Sequence, residues 1–174
     1  MTMPPSSSSG GVKGDSIALG PNLPMAVFTS AKRWNPERIG ALALYCSDGR
    51  WGEAFDEFCH RHLQIPRYDR WAVPGGPAWL ALQSDELGRG ETAHEQIDFL
   101  VQAHQLERIV LITHYGCAYY GQRLGQPAEE CLAVQIEDAG TATATLRRWY
   151  PDMRLETYLA MRTGTSLSFH GLQD

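Results

Sequence analysis

Apolar and polar positions alternate along the chain in two different patterns. Apolar runs at 39–46 (IGALALYC) and 107–116 (ERIVLITHYG) are typical of strands that are covered on both faces. The segment 51–63 (WGEAFDEFCHRHL) instead carries its apolar residues at helical spacing. Strands that alternate with helices predict an α/β fold, a mostly parallel central β-sheet flanked by helices.

The rest of the pattern completes this prediction and ends in a short C-terminal return strand. In the helix that begins near Gly90, Thr92 is expected to be the N-cap, because Glu95 follows at the spacing of a capping box. A strand closed by a Pro-Gly-Gly breaker is predicted at 67–76 (RYDRWAVPGG), and a helix at 90–106 (GETAHEQIDFLVQAHQL). One long helix or two are predicted at 127–150 (PAEECLAVQIEDAGTATATLRRWY). A strand, a Thr-Gly turn and the return strand are predicted at 153–171 (MRLETYLAMRTGTSLSFHG).

Length and composition indicate one domain of ordinary size. The chain has 174 residues, of which 43% are hydrophobic and 20% charged. Residues 1–22 are rich in Ser, Gly and Pro and are predicted to be a flexible N-terminal tail, with an arm docked on a partner subunit as the alternative. Residues 23–174 are predicted to form a single α/β domain.

Charge and hydropathy exclude several classes of partner. The formal net charge is −5 and no cluster of Lys and Arg is present, which disfavours nucleic acid. No apolar run approaches the ~20 residues that span a bilayer, so no membrane association is expected. The N-terminal sequence lacks the apolar core of a secretory signal, and a cytoplasmic location is therefore expected.

Three residues that favour metal binding fall where predicted strands end. Cys46 ends the first apolar run, and His114 and Cys117 end the clearest strand. Because the carboxyl ends of neighbouring parallel strands meet at one edge of the sheet, these side chains are expected to converge. Two cysteines and a histidine suit zinc, and three protein ligands with one open position are the pattern of a catalytic site. The other two cysteines, Cys59 and Cys131, lie on apolar helix faces and are expected to be packing residues.

Asp48 and Arg50 follow Cys46 at two-residue steps. In an extended strand tip, positions 46, 48 and 50 would point the same way. Arg50 could then form two hydrogen bonds to the Asp48 carboxylate and keep it ionised beside the metal. This ion pair would also keep Asp48 out of the open coordination position on zinc.

These residues together resemble the β-class carbonic anhydrases. The resemblance rests on Cys46-x-Asp48-x-Arg50 followed by His114-x-x-Cys117, with weaker support from AVPGG at 72–76 and ETYLAMRTGTSLSFHG at 156–171. It implies that Cys46, His114 and Cys117 bind Zn²⁺ and that Asp48 and Arg50 form the catalytic dyad. The implied activity is reversible hydration of carbon dioxide to bicarbonate by a zinc-bound hydroxide. It also implies a small-molecule substrate and a homodimer or higher homo-oligomer.

The chain departs from that family pattern at positions near the motifs. Thr113 stands before the histidine where the family usually has Gly, and Ala118, Tyr119 and Tyr120 follow Cys117 in place of Gly. Two alternatives therefore stay open. One is activity on another small heterocumulene, such as carbon disulfide; the other is a related zinc protein with little hydration activity, in which Asp48 occupies the metal.

Each motif also has a simpler explanation when it is taken alone. Ser47 or Asp48 could cap the helix that begins near Trp51, and His114 could be a core histidine beside an inert buried thiol. A cysteine phosphatase or sulfurtransferase is disfavoured, because those enzymes place five residues between the nucleophilic Cys and the Arg. Here only three residues separate Cys46 from Arg50.

Overall fold

The computed structural model describes residues 24–82 and 88–172. The predicted tail at 1–22 lies outside the described residues. The chain divides into two compact units, Met1–Pro36 and Glu37–Asp174. The described part of the first unit, 24–36, contains no helix or strand, and its four large apolar side chains are strongly exposed: Met25 92%, Val27 102%, Phe28 80% and Trp34 89%.

In its described residues, the second unit has five strands and five α-helices, with two further short helical turns. In chain order these are β1 Ala41–Cys46, α1 Gly52–Glu57, a π-helical turn Phe58–His62, β2 Asp69–Val73, α2 Ala78–Ala81, α3 Arg89–His104, β3 Arg108–His114, α4 Ala118–Leu124, a 3-10 turn Ala128–Cys131, α5 Leu132–Trp149, β4 Arg154–Thr163 and β5 Ser166–Gly171.

The five strands form one sheet in the order β2-β1-β3-β4-β5. The first three pairs are parallel, and only β4 and β5 run antiparallel. This confirms the predicted α/β class with a C-terminal return strand. From β1 the chain leads to β2 on one side and later to β3 on the other, so the gap between β1 and β3 is the topological switch point at which parallel sheets form their sites.

The core covers both faces of the sheet, as the continuous apolar runs predict. Along β1, Ala43 and Tyr45 pack with Phe55 of α1 on one face. Leu42 and Leu44 pack on the other face, against the side chains of α3 and α5. All six residues of β1 are buried, so the strand that ends in Cys46 is held firmly by its neighbours.

The predicted N-cap of α3 is wrong. The helix begins at Arg89 and its N-cap is Gly88, in a left-handed conformation without a side-chain hydrogen bond. The amide of Thr92 already donates to the Gly88 carbonyl at 3.0 Å, which places Thr92 inside the helix. Helices α2 and α4 were not predicted, because four and seven residues are too short to show helical periodicity.

Among the helices at 24–82 and 88–172, none combines the length and the apolar character that a bilayer crossing requires.

Candidate metal centre

Three buried side chains meet at the carboxyl edge of the sheet, as the sequence predicts. Cys46 ends β1, His114 ends β3, and Cys117 is the N-cap of α4. Their ligand atoms all lie within 4.8 Å of one another, and the two sulfurs are 3.7 Å apart. Their exposed fractions are only 7%, 1% and 2%. Two sulfurs and one imidazole at this separation could hold a metal ion.

The hydrogen bonding of His114 leaves one ring nitrogen for such an ion. Nδ1 lies 3.0 Å from the carbonyl oxygen of Tyr115, and a carbonyl can only accept, so Nδ1 carries the proton. Nε2 then has a free lone pair, yet it is buried and has no hydrogen-bond partner among the described residues. A buried unpaired polar atom costs about 1–3 kcal/mol, so its presence favours a ligand at that atom. Metal-binding histidines commonly hold their second nitrogen in this way.

Aromatic side chains fix the plane of the His114 ring. The Trp51 ring centroid lies 4.9 Å from the His114 centroid, and the Phe55 centroid lies 6.4 Å away. Both aromatic residues are buried. Because the ring cannot turn without displacing them, the direction of the Nε2 lone pair is set by packing.

The two thiols of the cluster behave as a coupled pair. A hydrogen bond from Cys117 lowers the pKa of Cys46, with help from His114 and from the Gly75 amide, which lies 3.4 Å from the Cys46 sulfur. The pKa of Cys117 is raised, first by its hydrogen bond to Cys46 and then by burial, although the amides of Tyr119 and Tyr120 oppose this. The pair therefore loses one proton readily, whereas a second thiolate would be repelled by the first. A divalent cation between the sulfurs would remove that repulsion.

Asp48 and Arg50 form an ion pair beside the cluster. The Arg50 Nε lies 2.9 Å from Oδ1 and Nη2 lies 2.5 Å from Oδ2, and the Arg50 amide donates to Oδ1 at 3.1 Å. These hydrogen bonds lower the pKa of Asp48 to about 2. The Asp48 side chain is 16% exposed, whereas that of Arg50 is 75% exposed. Asp48 is thus held ionised on the inner side of the pair.

The local backbone that produces this pair differs from the prediction. The strand ends at Cys46, and the Trp51 amide donates to the Asp48 carbonyl at 3.0 Å, which makes residues 48–51 a turn and not an extended tip. Asp48 and Arg50 meet because the turn folds the arginine back over the carboxylate. Helix α1 has Trp51 as its N-cap with no side-chain hydrogen bond, so neither Ser47 nor Asp48 caps it.

The remaining two cysteines lie outside the cluster. Cys59 and Cys131 are fully buried, and burial raises the pKa of Cys59 to about 11. Cys59 packs in the core under α1, and the Cys131 thiol donates to the Pro127 carbonyl at 3.4 Å. Both are packing residues, as expected.

Sequence reasoning missed the role of the turn after β2. The Gly75 amide faces the Cys46 sulfur, and a Cβ on Gly76 would lie 2.6 Å from the Tyr45 carbonyl carbon. Both glycines have positive φ, +82° and +51°. From the sequence, the Pro-Gly-Gly segment is interpreted as a strand breaker and as weak support for the family resemblance, but two adjacent glycines at a strand end are also the signal of a close backbone approach.

The fold and this cluster define the class of protein: a parallel α/β domain with a candidate Cys-His-Cys metal centre at the switch point of its sheet. Residues 37–164 match the protein family described as "Putative carbonic anhydrase". The chain belongs to this carbonic anhydrase-like family, which confirms the resemblance seen in the sequence. No curated protein sequence matches the chain.

Two solved structures of β-carbonic anhydrases are similar to the chain. A mutant of CafD from the filamentous fungus Aspergillus fumigatus, with alanine in place of one cysteine, is 13% identical over 81% of this chain and 92% of its own, with a TM-score of 0.50. Isoform I (TvaCA1) of the protozoan Trichomonas vaginalis is 13% identical over 83% of this chain and 88% of its own, with a TM-score of 0.47.

Proposed function

We propose that the protein is a zinc hydro-lyase that interconverts carbon dioxide and bicarbonate: carbon dioxide and water give bicarbonate and a proton. The observation that carries this proposal is the buried, unpartnered Nε2 of His114 beside two sulfurs 3.7 Å apart. Membership of the carbonic anhydrase-like family supports the same conclusion.

Zinc fits the donor set better than a hard cation does. Thiolate sulfur and imidazole nitrogen suit a borderline-soft ion, whereas Mg²⁺ and Ca²⁺ prefer oxygen ligands. Cys46, His114 and Cys117 would hold the ion as its three protein ligands. Zinc in such a site supplies a Lewis acid that makes water nucleophilic near neutral pH.

Asp48 orients the reacting water in this proposal. The carboxylate has about four lone-pair sites, and Arg50 makes four contacts to them, of which Nε to Oδ2 at 3.2 Å is the longest and shares its proton with Oδ1. In this proposal water takes the place of that longest contact, so that Oδ2 accepts a hydrogen bond from water and directs the water oxygen toward the carbon of the substrate. Because Arg50 keeps the carboxyl ionised, Asp48 acts as an acceptor and not as a proton donor.

The ion pair also supports an open fourth position. Within 24–82 and 88–172, the set of mutually close metal-binding donors contains Cys46, His114 and Cys117 but not Asp48. Both Asp48 oxygens are bound by Arg50. This arrangement favours the active form over the alternative in which Asp48 occupies the metal.

The Asp48→Asn substitution tests the proposal. We expect the variant to keep its zinc but to lose carbon dioxide hydration by about 100-fold or more, since the loss of one preorganised hydrogen-bond partner of the reacting group costs roughly 10²–10³-fold. Stopped-flow hydration with a pH indicator gives the rate, and elemental analysis gives the metal content. Cys59→Ala is the matched control, because it alters a buried cysteine outside the cluster. Equal rates for Asp48→Asn and the parent would refute the role of Asp48, and a parent without activity would refute the proposed function.

We also propose that the protein forms a homodimer or higher homo-oligomer. The large apolar side chains of Met25, Val27, Phe28 and Trp34 expose at least 80% of their surface, and exposed apolar clusters commonly mark protein interfaces. Sedimentation analysis of the full chain measures the assembly, and a monomer at all concentrations would contradict it.

A further inference from the structure

The turn between β2 and α2 is packed directly against the ring of Tyr119. A Cβ built on Gly75 would lie 2.3 Å from Cδ1 of Tyr119 and 2.7 Å from Cε1. Only glycine leaves room for the ring at this distance. Tyr119 therefore limits where the backbone of Gly75 can lie.

Gly75 also contacts one of the proposed metal ligands. The Gly75 amide donates to the sulfur of Cys46 at 3.4 Å. The next residue, Gly76, donates its amide to the Val73 carbonyl at 2.9 Å and presses against the backbone of Cys46, with a hypothetical Cβ 2.7 Å from the Cys46 nitrogen. The turn is thus held between the end of β1 on one side and the Tyr119 ring on the other.

Neighbouring side chains hold both the ring and the turn. The Tyr120 ring meets the Tyr119 ring edge-on, with centroids 5.9 Å apart and planes at 85°. The Arg89 guanidinium lies 6.0 Å from the ring centroids of both Tyr119 and Trp79. The indole N–H of Trp79 donates to the Pro74 carbonyl at 3.0 Å, which ties the start of the turn to the same group.

Tyr119 is also close in the chain to the second cysteine. It is the second residue of α4, the helix for which Cys117 is the N-cap. One residue thereby joins the helix that follows Cys117 to the turn that contacts Cys46, since its ring packs on Gly75.

We propose that Tyr119 is a positioning residue of the metal centre, whose ring holds the Gly75 amide on the sulfur of Cys46. The inference rests on the proposed function, because that function gives the cluster its metal. An N–H donor withdraws electron density from a metal-bound thiolate and fixes its orientation. Hydrogen-bond partners of metal ligands typically change metal affinity by about 10–100-fold when they are lost.

Cobalt(II) in place of zinc gives a spectroscopic test on the full chain. The charge-transfer band from thiolate to cobalt reports the energy of the sulfur lone pair, which a hydrogen bond lowers. Tyr119→Ala and Tyr119→Leu remove the flat ring but keep the helical backbone that follows Cys117. Tyr119→Phe is the matched control, because it keeps the ring and removes only the hydroxyl.

We expect the band of Tyr119→Ala and Tyr119→Leu to move to longer wavelength and their zinc affinity to fall by about 10–100-fold. Tyr119→Phe should keep the band and affinity of the parent. Tyr119→Leu retains apolar volume and so gives a result if the alanine variant does not fold. An unchanged band in the leucine variant, or an equal shift in the phenylalanine variant, would overturn the role of the ring. A parent protein without a thiolate band would instead overturn the metal centre, and with it the proposed function.

Discussion

The Gly76→Ala substitution tests how closely the turn after β2 is built onto the end of β1. The new Cβ would lie 2.6 Å from the Tyr45 carbonyl carbon and 2.7 Å from the Cys46 nitrogen. These are backbone atoms of a fully buried strand, so they cannot move aside as a flexible side chain would. The φ of Gly76 is +51°, a conformation that disfavours alanine as well.

The two penalties can be estimated separately. An L-residue in the left-handed region costs about 1–2 kcal/mol, and overpacking a well-filled site costs about 1–3 kcal/mol. Gly76→Ala should therefore lower the free energy of unfolding by about 2–5 kcal/mol. For a chain of this length that corresponds to a fall of roughly 4–20 °C in Tm, at about 2–4 °C per kcal/mol.

Gly164→Ala is the matched control for the backbone term. Gly164 has a φ of +59°, but a Cβ there would meet no atom within 4 Å. It lies in the turn between β4 and β5. The control should lose only about 1–2 kcal/mol.

Urea unfolding of both variants, followed by tryptophan fluorescence in chelator and reductant, measures the difference without any contribution from metal. If Gly76→Ala is no more destabilising than Gly164→Ala, the close approach of the turn to Cys46 is not real. In that case the argument that this turn positions the Cys46 sulfur fails as well.

Two further predictions concern metal and pH. Free zinc at about 100 times its Kd should stabilise the folded protein by about 2.7 kcal/mol in calorimetry, and EDTA should reverse this stabilisation. Cys59→Ala should keep the stabilisation by zinc, and Cys117→Ala should lose it. Equal stabilisation of the two variants would contradict the proposed ligands. For Glu156, burial raises the pKa, but hydrogen bonds from Arg108 and Arg154 outweigh burial and lower it. Because the pKa is lower in the folded protein, the carboxylate stabilises the fold above its unfolded pKa of about 4.3, and this stabilisation is lost as the pH falls through the folded value. Urea titrations give the free energy of unfolding of the parent and of Glu156→Gln. The difference between these two free energies should be constant near neutral pH and become smaller below about pH 4.3. A difference that does not depend on pH would contradict the ion pair.

The sequence predicts those parts of the fold in which a whole strand is buried in the core. The strands that end in Cys46 and His114 are continuous apolar runs, and such runs form only where a sheet is covered on both faces. Two parallel strands present their carboxyl ends at one edge, so the meeting of the two residues follows once β1 and β3 are neighbours. Neither step depends on the detailed geometry of a turn.

The parts that could not be predicted are decided locally and by contacts between distant turns. Asp48 and Arg50 were expected to pair through strand alternation, but a turn at residues 48–51 brings them together. Thr92 had the spacing of a cap, yet the observed N-cap is a left-handed Gly88, four residues earlier. Several residues can serve as either a cap or an interior residue, and the pattern of the sequence alone does not decide between them.

The position of Cys117 in the candidate metal centre depends both on the buried sheet and on local turn geometry. His114 is placed by the sheet, but the chain must reverse within three residues for Cys117 to face the same point. Gly116 has a φ of +69°, which allows this reversal, and α4 begins directly after Cys117. The Tyr120 amide in the first turn of α4 then donates to the Cys117 carbonyl at 3.1 Å, while the Tyr119 ring packs against the Gly75 turn. The spacing His-x-x-Cys thus describes two of the proposed ligands, and Tyr119, which departs from the family pattern, joins the helix that follows Cys117 to the turn that contacts Cys46.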